Sequence, residues 1–235
     1  MQPLKKIFNI ETSLNRINAI LDPSRTIADV DSSYNIDQLD YNTIVKAKMV
    51  YISVDLRSDN PVSSEDVLFK QYKACLAELI PIMAESDTLV DIDQMHLMNV
   101  IAIYSCRDNL NGIIDIAAKI NSMCEVLNMQ FENYGMPRLT PGIGISIGET
   151  HILRMTEAEP KSEEILRVSD GIGVSMDYSS IANTGLVKNP IIISPLIWEK
   201  LTEAYRQFFS NKEDSGYYYA SLINTSLNNW IKENR

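Results

Sequence analysis

From residue 47 to residue 149 the apolar residues switch between a period of two and a period near 3.6, and that alternation limits the possible folds more than any other feature of the chain. Lys48-Met-Val-Tyr-Ile-Ser-Val-Asp55 reads as a buried strand that ends on an acid. Ser64-Glu-Asp66 then opens a helix, with acids in the first turn where the helix dipole favours them. That helix would bury Leu68, Tyr72, Cys75, Leu76, Leu79, Ile80 and Met83. Strands at about 88–96 and 98–105 follow closely enough to form a hairpin. A second long helix, about 110–128, carries Ile113, Ile116, Ala117, Ile120, Met123 and Leu127 on one face. Pro141-Gly-Ile-Gly-Ile-Ser-Ile-Gly-Glu149 alternates as a strand. The order β-α-β-β-α-β describes a ferredoxin-like split βαβ core with a mostly antiparallel sheet and helices on one face, an α+β fold.

The flanking segments are simpler. Leu4, Ile7, Phe8, Ile10, Leu14, Ile17 and Leu21 fall at near-helical spacing, and Asp22-Pro23 stops that helix. Residues 22–46 are rich in Asp, Asn and Ser, the composition of an arm or linker. Downstream, a helix is expected over about 161–183, with Gly171 and Gly173 as possible break points. Then come a strand at 189–194, a helix at 195–209, a strand at 216–222 and a terminal helix from Ser226. The expected organisation is an N-terminal helix and polar arm at 1–46, one domain at 47–222 and a C-terminal helix at 223–235.

With 31 acids against 21 bases the net charge is −10, which opposes general binding to nucleic-acid phosphates. Three cysteines, Cys75, Cys106 and Cys124, show no CxxC spacing, and the histidines are His96 and His151 alone. Neither a zinc site nor a disulfide framework is expected. No stretch approaches 18 apolar residues and no signal-peptide core is visible, so a cytoplasmic protein without a membrane partner is expected.

Few residues carry chemistry by their placement. Asp55 sits at a strand exit, where a carboxylate suits a divalent metal; Asp55 and the nearby Asp59 would equally serve to initiate a loop. Asp91 and Asp93 share one face of their strand, either as metal ligands or as a solvated acidic stripe, which is the commoner arrangement. His96 suits a partly buried structural role, and His151 has no nucleophile beside it. The glycines of 141–148 fit neither GxGxxG nor a Walker loop; small residues at every second position instead permit a helix or ligand to approach one sheet face.

Three of these segments, in order, resemble class III nucleotide cyclases. Val50-Tyr-Ile-Ser-Val-Asp-Leu-Arg-Ser58 is similar to the strand bearing the family's first metal aspartate. Pro141 to Glu149 is similar to the family's "GIxxGE" strand. Ile181-Ala-Asn-Thr-Gly-Leu-Val187 with Ile191-Ile-Ile-Ser-Pro-Leu-Ile-Trp-Glu-Lys-Leu201 resembles the segment ending in its "IxVS" strand and helix. The short N-terminal helix, polar arm and compact unit look most like the bacterial Pycsar-type pyrimidine cyclases of anti-phage signalling.

The resemblance implies a reaction in which the ribose 3′-oxygen attacks the α-phosphorus and expels pyrophosphate, with Mg2+ or Mn2+ as cofactor. Two aspartates would hold the metals, and an asparagine and an arginine from a partner subunit would position the ribose and stabilise the transition state. Asp55 matches the first aspartate. Counting back from Tyr104 puts Met98 at the second, with Asp93 the acid nearby. The asparagine and arginine positions fall on Gly173 and Asp177, neither able to do that work, and Gln94 falls at a base-reading position. Loss of such an arginine in phosphoryl transfer removes about 10³–10⁵ in rate. The expectation is therefore a degenerate cyclase that binds a nucleotide or cyclic nucleotide and pairs as a homodimer, or as a heterodimer with another cyclase-like chain. The alternative is an active cyclase, with CTP or UTP among its possible substrates, using rearranged ligands such as Asp55 with Asp93.

Overall fold

The computed structural model describes residues 10–22, 27–31, 34, 38–40, 43–58, 60, 64–96, 98–154, 165–184, 190–211 and 215–234. In chain order the elements are α1 (Ile10–Leu21), β1 (Ala28–Asp29), β2 (Ile44–Ser58), α2 (Glu65–Met83), β3 (Leu89–His96), β4 (Asn99–Ser105), α3 (Asn111–Asn133) and β5 (Leu139–Arg154). They continue with β6 (Ile165–Ser169), α4 (Asp170–Asn183), β7 (Ile191–Ile193), α5 (Pro195–Glu199), α6 (Glu203–Arg206), β8 (Ser210–Asn211), β9 (Tyr218–Ala220) and α7 (Thr225–Asn234). The chain divides into two compact units, Met1–Ala47 with His151–Val168, and Lys48–Thr150 with Ser169–Arg235.

In the smaller unit β1 runs parallel to the start of β2, with Ala28 opposite Val45 and Asp29 opposite Lys46. The Lys46–Asp29 ion pair at 3.2 Å closes that contact. Arg154 donates to the carbonyl of the buried Leu39 at 2.9 Å. On α1, Ile10, Leu14, Ile17 and Leu21 are all exposed.

The larger unit carries the expected core. Its strand order β3-β4-β2-β5 places β4 between β3 and β2, and β4 is antiparallel to both, which is the split βαβ arrangement. Beyond β5 the sheet continues through β7, parallel to β5, and β9, antiparallel to β7. Val50, Ile52 and Val54 of β2 and Val100, Ala102 and Tyr104 of β4 point to one face, where they meet Cys75, Leu79 and Met83 of α2 and Ile113, Ile120 and Cys124 of α3. α2 starts where expected, because the Ser64 hydroxyl accepts from the Val67 amide. Tyr104 spans the layers and donates its hydroxyl proton to the Met83 carbonyl at 3.0 Å.

The opposite face of the sheet receives α4. Gly142, Gly144 and Gly148 lie on β5 at every second position, and a Cβ at Gly142 or Gly144 would fall on the carbonyl oxygens of Ser179 and Ser175. Small residues of the helix, Gly171, Ser175, Ser179 and Ala182, are the ones it buries. The small-residue face of β5 is thus the bed of a helix.

Three sequence expectations change here. The helices were expected on one face of the sheet, and α4 lies on the face opposite α2 and α3 because the β5 glycines leave room for its backbone there. The stretch expected to be helical from 161 is a strand, β6, over Ile165–Ser169; the residues before it lie outside the described ones. The helix begins at Asp170 because the Ser169 hydroxyl accepts from the Gly171 amide at 3.1 Å and closes the N-terminus. Gly171 and Gly173 do not break it, since Gly171 fits against Gly148 and Tyr51 where no side chain has room. Likewise the single helix expected at 195–209 is two short ones, α5 and α6.

Candidate functional site

β2 and β4 pair in a continuous antiparallel register that sets Tyr51 opposite Ile103, Ser53 opposite Ile101 and Asp55 opposite Asn99. Opposite residues point to the same face, with Cβ atoms about 4.5–5.5 Å apart. Asp55 and Asn99 thus present a carboxylate and an amide oxygen side by side where the β2–β4 pairing ends; β2 itself runs on to Ser58, past the acid on which the sequence suggested it would stop.

Sequence counting put Met98 at the position of the family's second aspartate; the residue that the register sets opposite Asp55 is its neighbour, Asn99. Met98 is the turn residue between β3 and β4, in the left-handed region at φ 69°, with its side chain buried in the helix-side core. Its carbonyl accepts from the Leu56 amide at 2.9 Å, which locks the register.

Asp93 also faces this side of the sheet, opposite Ile101 on β4. It is two strands and two residues from Asp55, a Cα separation of roughly 11–12 Å from standard sheet spacings. A divalent cation holds its oxygen ligands at about 2.0–2.6 Å, so one ion does not span the pair. The strand backbone of Gln94 and His96 is described, and their side chains lie outside the described residues, as does Asp59. No group of three or more His, Cys, Asp or Glu side chains able to hold a metal occurs among the described residues.

Two side chains reach Asp55. Arg57 donates from Nε to Asp55 Oδ2 at 2.9 Å and from its other arm to Ser180 Oγ on α4 at 2.8 Å. Asn183, one turn further along α4, donates from Nδ2 to the Asp55 carbonyl at 2.6 Å. Its Oδ1 is buried and accepts no hydrogen bond from the described residues. Deeper in, the Ser53 and Ser179 hydroxyls meet at 3.1 Å. Ser179 spends its one proton on the Met176 carbonyl at 2.8 Å, so Ser53 is the donor of that pair. The remaining Ser53–Asn99 contact, 3.4 Å to Oδ1, is long, so that amide oxygen is only weakly engaged by Ser53.

Gly173 and Asp177 are one helical turn apart on the exposed side of α4, away from the face that rests on β5. Nothing lies within 4 Å of where a Gly173 side chain would start. Beside them Tyr178 packs at 5.8 Å on Tyr217, and burial with the charge of Asp177 pushes its phenol pKa up.

The fold recurs in solved structures. The adenylyl cyclase CyaB from P. aeruginosa superposes with a TM-score of 0.59 at 12% identity, over 77% of this chain and 97% of that one. The chain has the class III nucleotide cyclase fold. A class III adenylyl cyclase-like ATP-binding protein from Pseudomonas aeruginosa shares the cyclase fold with a TM-score of 0.61 at 13% identity, over 95% of this chain and 49% of that one. No protein-family model matches the sequence. Its curated relatives include a uridylate cyclase of Gulbenkiania mobilis, 22% identical over the full length of both chains. Another is a uridylate cyclase of Treponema porcinum, 22% identical over 96% of this chain and 82% of that one. No helix among the described residues is long and apolar enough to cross a membrane.

Of the residues singled out in the sequence, the fold brings Asp55 to the sheet end and puts Gly173 with Asp177 on the outer face of α4. Asp93 is not brought to Asp55. The fold adds two neighbours of Asp55 that sequence reasoning did not single out, Asn99 and Arg57. Arg57 was legible as a residue two positions from Asp55 and hence on the same face. Asn99 needed the turn geometry of Met98.

Proposed function

We propose that this chain is a cyclase-fold nucleotide-binding protein whose catalytic groups are degenerate, acting as a binding or dimerising partner in cyclic-nucleotide signalling of the anti-phage type. The observation that carries the reading is the pairing of Asp55 with Asn99. One carboxylate and one amide oxygen suit a single hard divalent cation such as Mg2+ or Mn2+ with waters completing its shell. They do not suit two, because neutral Asn99 adds no charge for a second ion. When bound, such a cation neutralises phosphate charge. Asp55 would hold it, with Asn99 as a weaker ligand, while Asn183 holds the Asp55 backbone in place through its carbonyl.

The outer face of α4 supports the same reading. In a homodimer each subunit would offer Gly173 and Asp177 to its partner's site. Glycine has no amide to orient a ribose, and an acid repels a polyphosphate. Without a charge-stabilising arginine, turnover would fall by about 10³–10⁵. A different cyclase-like chain as partner would supply the missing groups.

The test is incubation of the purified protein with ATP, GTP, CTP or UTP and Mg2+ or Mn2+, read by mass spectrometry for cyclic product and by calorimetry for binding. Cation-dependent binding that Asp55→Ala abolishes, with no cyclic product, is the expected result. A cyclic nucleotide formed by the wild type and lost in Asp55→Ala would sink the degenerate reading in favour of an active cyclase. The second reading, an active uridylate cyclase with rearranged ligands, draws support from the full-length similarity to proteins of that name. It predicts that Asp93→Ala abolishes cyclic UMP formation while leaving UTP binding in place.

A further inference from the structure

Arg57 closes the solvent side of Asp55. Its side chain is 48% exposed where that of Asp55 is 16% exposed, so the guanidinium stands between the carboxylate and water. It is held by the carboxylate at 2.9 Å and by Ser180 Oγ at 2.8 Å. The ion pair is cheap to open, because partly exposed pairs contribute little, and the Ser180 contact is one hydrogen bond that water can replace. A divalent cation arriving at Asp55 competes with the guanidinium for the same carboxylate and repels it. The displaced group stays tethered beside the site, and its planar fork matches a phosphate through two parallel hydrogen bonds. The outer face of α4 offers an acid and a glycine at the two positions discussed, and no cation.

We propose that Arg57 is the phosphate-binding cation of this site, stored on Asp55 and Ser180 while the site is empty and transferred to the ligand's phosphates when Asp55 takes a divalent ion. The proposal rests on the reading of Asp55 and Asn99 as the seat of a nucleotide's cation. It assigns the charge-neutralising role to the same subunit and the same strand as the metal ligand. It also makes the cation and the phosphates bind in an ordered, mutually supporting way, since each removes a competitor of the other.

Arg57→Ala separates the two roles by sign. Calorimetry with Mn2+ alone should show affinity raised by up to about fivefold, the strength of an exposed ion pair. Inorganic tripolyphosphate and UTP, each with saturating Mn2+, should bind roughly ten- to a hundredfold more weakly, as for the loss of a charged hydrogen-bonding group. Ser180→Ala frees the guanidinium without removing it, and should raise Mn2+ affinity while leaving tripolyphosphate binding intact. Losses of both Mn2+ and tripolyphosphate affinity in Arg57→Ala would mark a merely structural residue and overturn the proposal. Unchanged affinities in Arg57→Ala, beside intact wild-type binding, would overturn this proposal alone. Failure of the wild type to bind any of the four nucleoside triphosphates with Mn2+ would overturn the nucleotide reading, and this one with it.

Discussion

Asn99 is the residue on which the site turns. It lies opposite Asp55 with its amide oxygen 3.4 Å from the Ser53 hydroxyl, and backbone bonds that do not involve its side chain set its place. Asn99→Asp would therefore keep the fold and place two carboxylates about 5 Å apart at Cβ. The expected outcome is a protein less stable without metal, because like charges repel, and stabilised by Mn2+ in proportion to the logarithm of its concentration. Mn2+ affinity should rise by roughly tenfold or more with the added charge, as measured by calorimetry and by melting temperature against Mn2+. Asp55 was legible in the sequence because an acid ending an apolar strand is a local signal. Asn99 was not, because its place depends on a turn of unusual conformation. A left-handed methionine carries none of the Gly, Asn or Asp signature by which such turns are recognised. Asp93 shows a related point: spacing along a strand says which face a side chain takes, and register alone says that Ile101 lies opposite.

The contact between α4 and β5 is built from missing side chains. Gly142 and Gly144 let the helix backbone sit on the strand backbone, and a single methyl at Gly144 would meet the Ser175 carbonyl and the Ser179 amide. Backbone cannot rotate aside as a side chain does, so Gly144→Ala should cost about 3 kcal/mol or more in urea unfolding. It should also weaken any ligand held near Asp55, since Ser179, Ser180 and Asn183 would shift with the helix. Gly173→Ala is the control. Its side chain would enter open space, and replacing a helical glycine should stabilise by about 0.5–1 kcal/mol. The sequence pattern announced the small-residue face of β5 but not its occupant, and glycines inside α4 looked like a break. The Ser169-Asp170 start was present as a capping signal, yet the alternating Ile165-Leu-Arg-Val-Ser169 ahead of it is too short for periodicity to separate strand from helix.

Across the whole molecule the fold was far more legible than the site, because burial of one face of β2, β4, α2 and α3 repeats the same signal over many residues. That signal survives at 12% identity to the cyclase of P. aeruginosa. The shared core also sets how stability responds to alkali. Burial pushes the Cys75 thiol from its ordinary 9.0 up to about 12, and raises Cys124 further with help from the Cys75 charge. Burial likewise raises the Tyr104 phenol above 10.0. All three stay neutral in the folded chain while the unfolded chain ionises, so their contribution is intact below pH 9 and drains away as pH rises toward the folded values. Urea unfolding from pH 7 to 10.5 should be flat at first, then fall by up to about 2.7 kcal/mol per pH unit as the two thiols titrate. Replacing Cys75 and Cys124 by alanine should flatten that fall while lowering the plateau. Asn99 meanwhile has a different kind of consequence, one of heredity. Asparagine and aspartate codons differ by one purine transition in the first base, and the backbone around this residue asks nothing of its side chain. A lineage carrying this gene stands a single copying error from a two-carboxylate centre, in a scaffold already shaped to receive it.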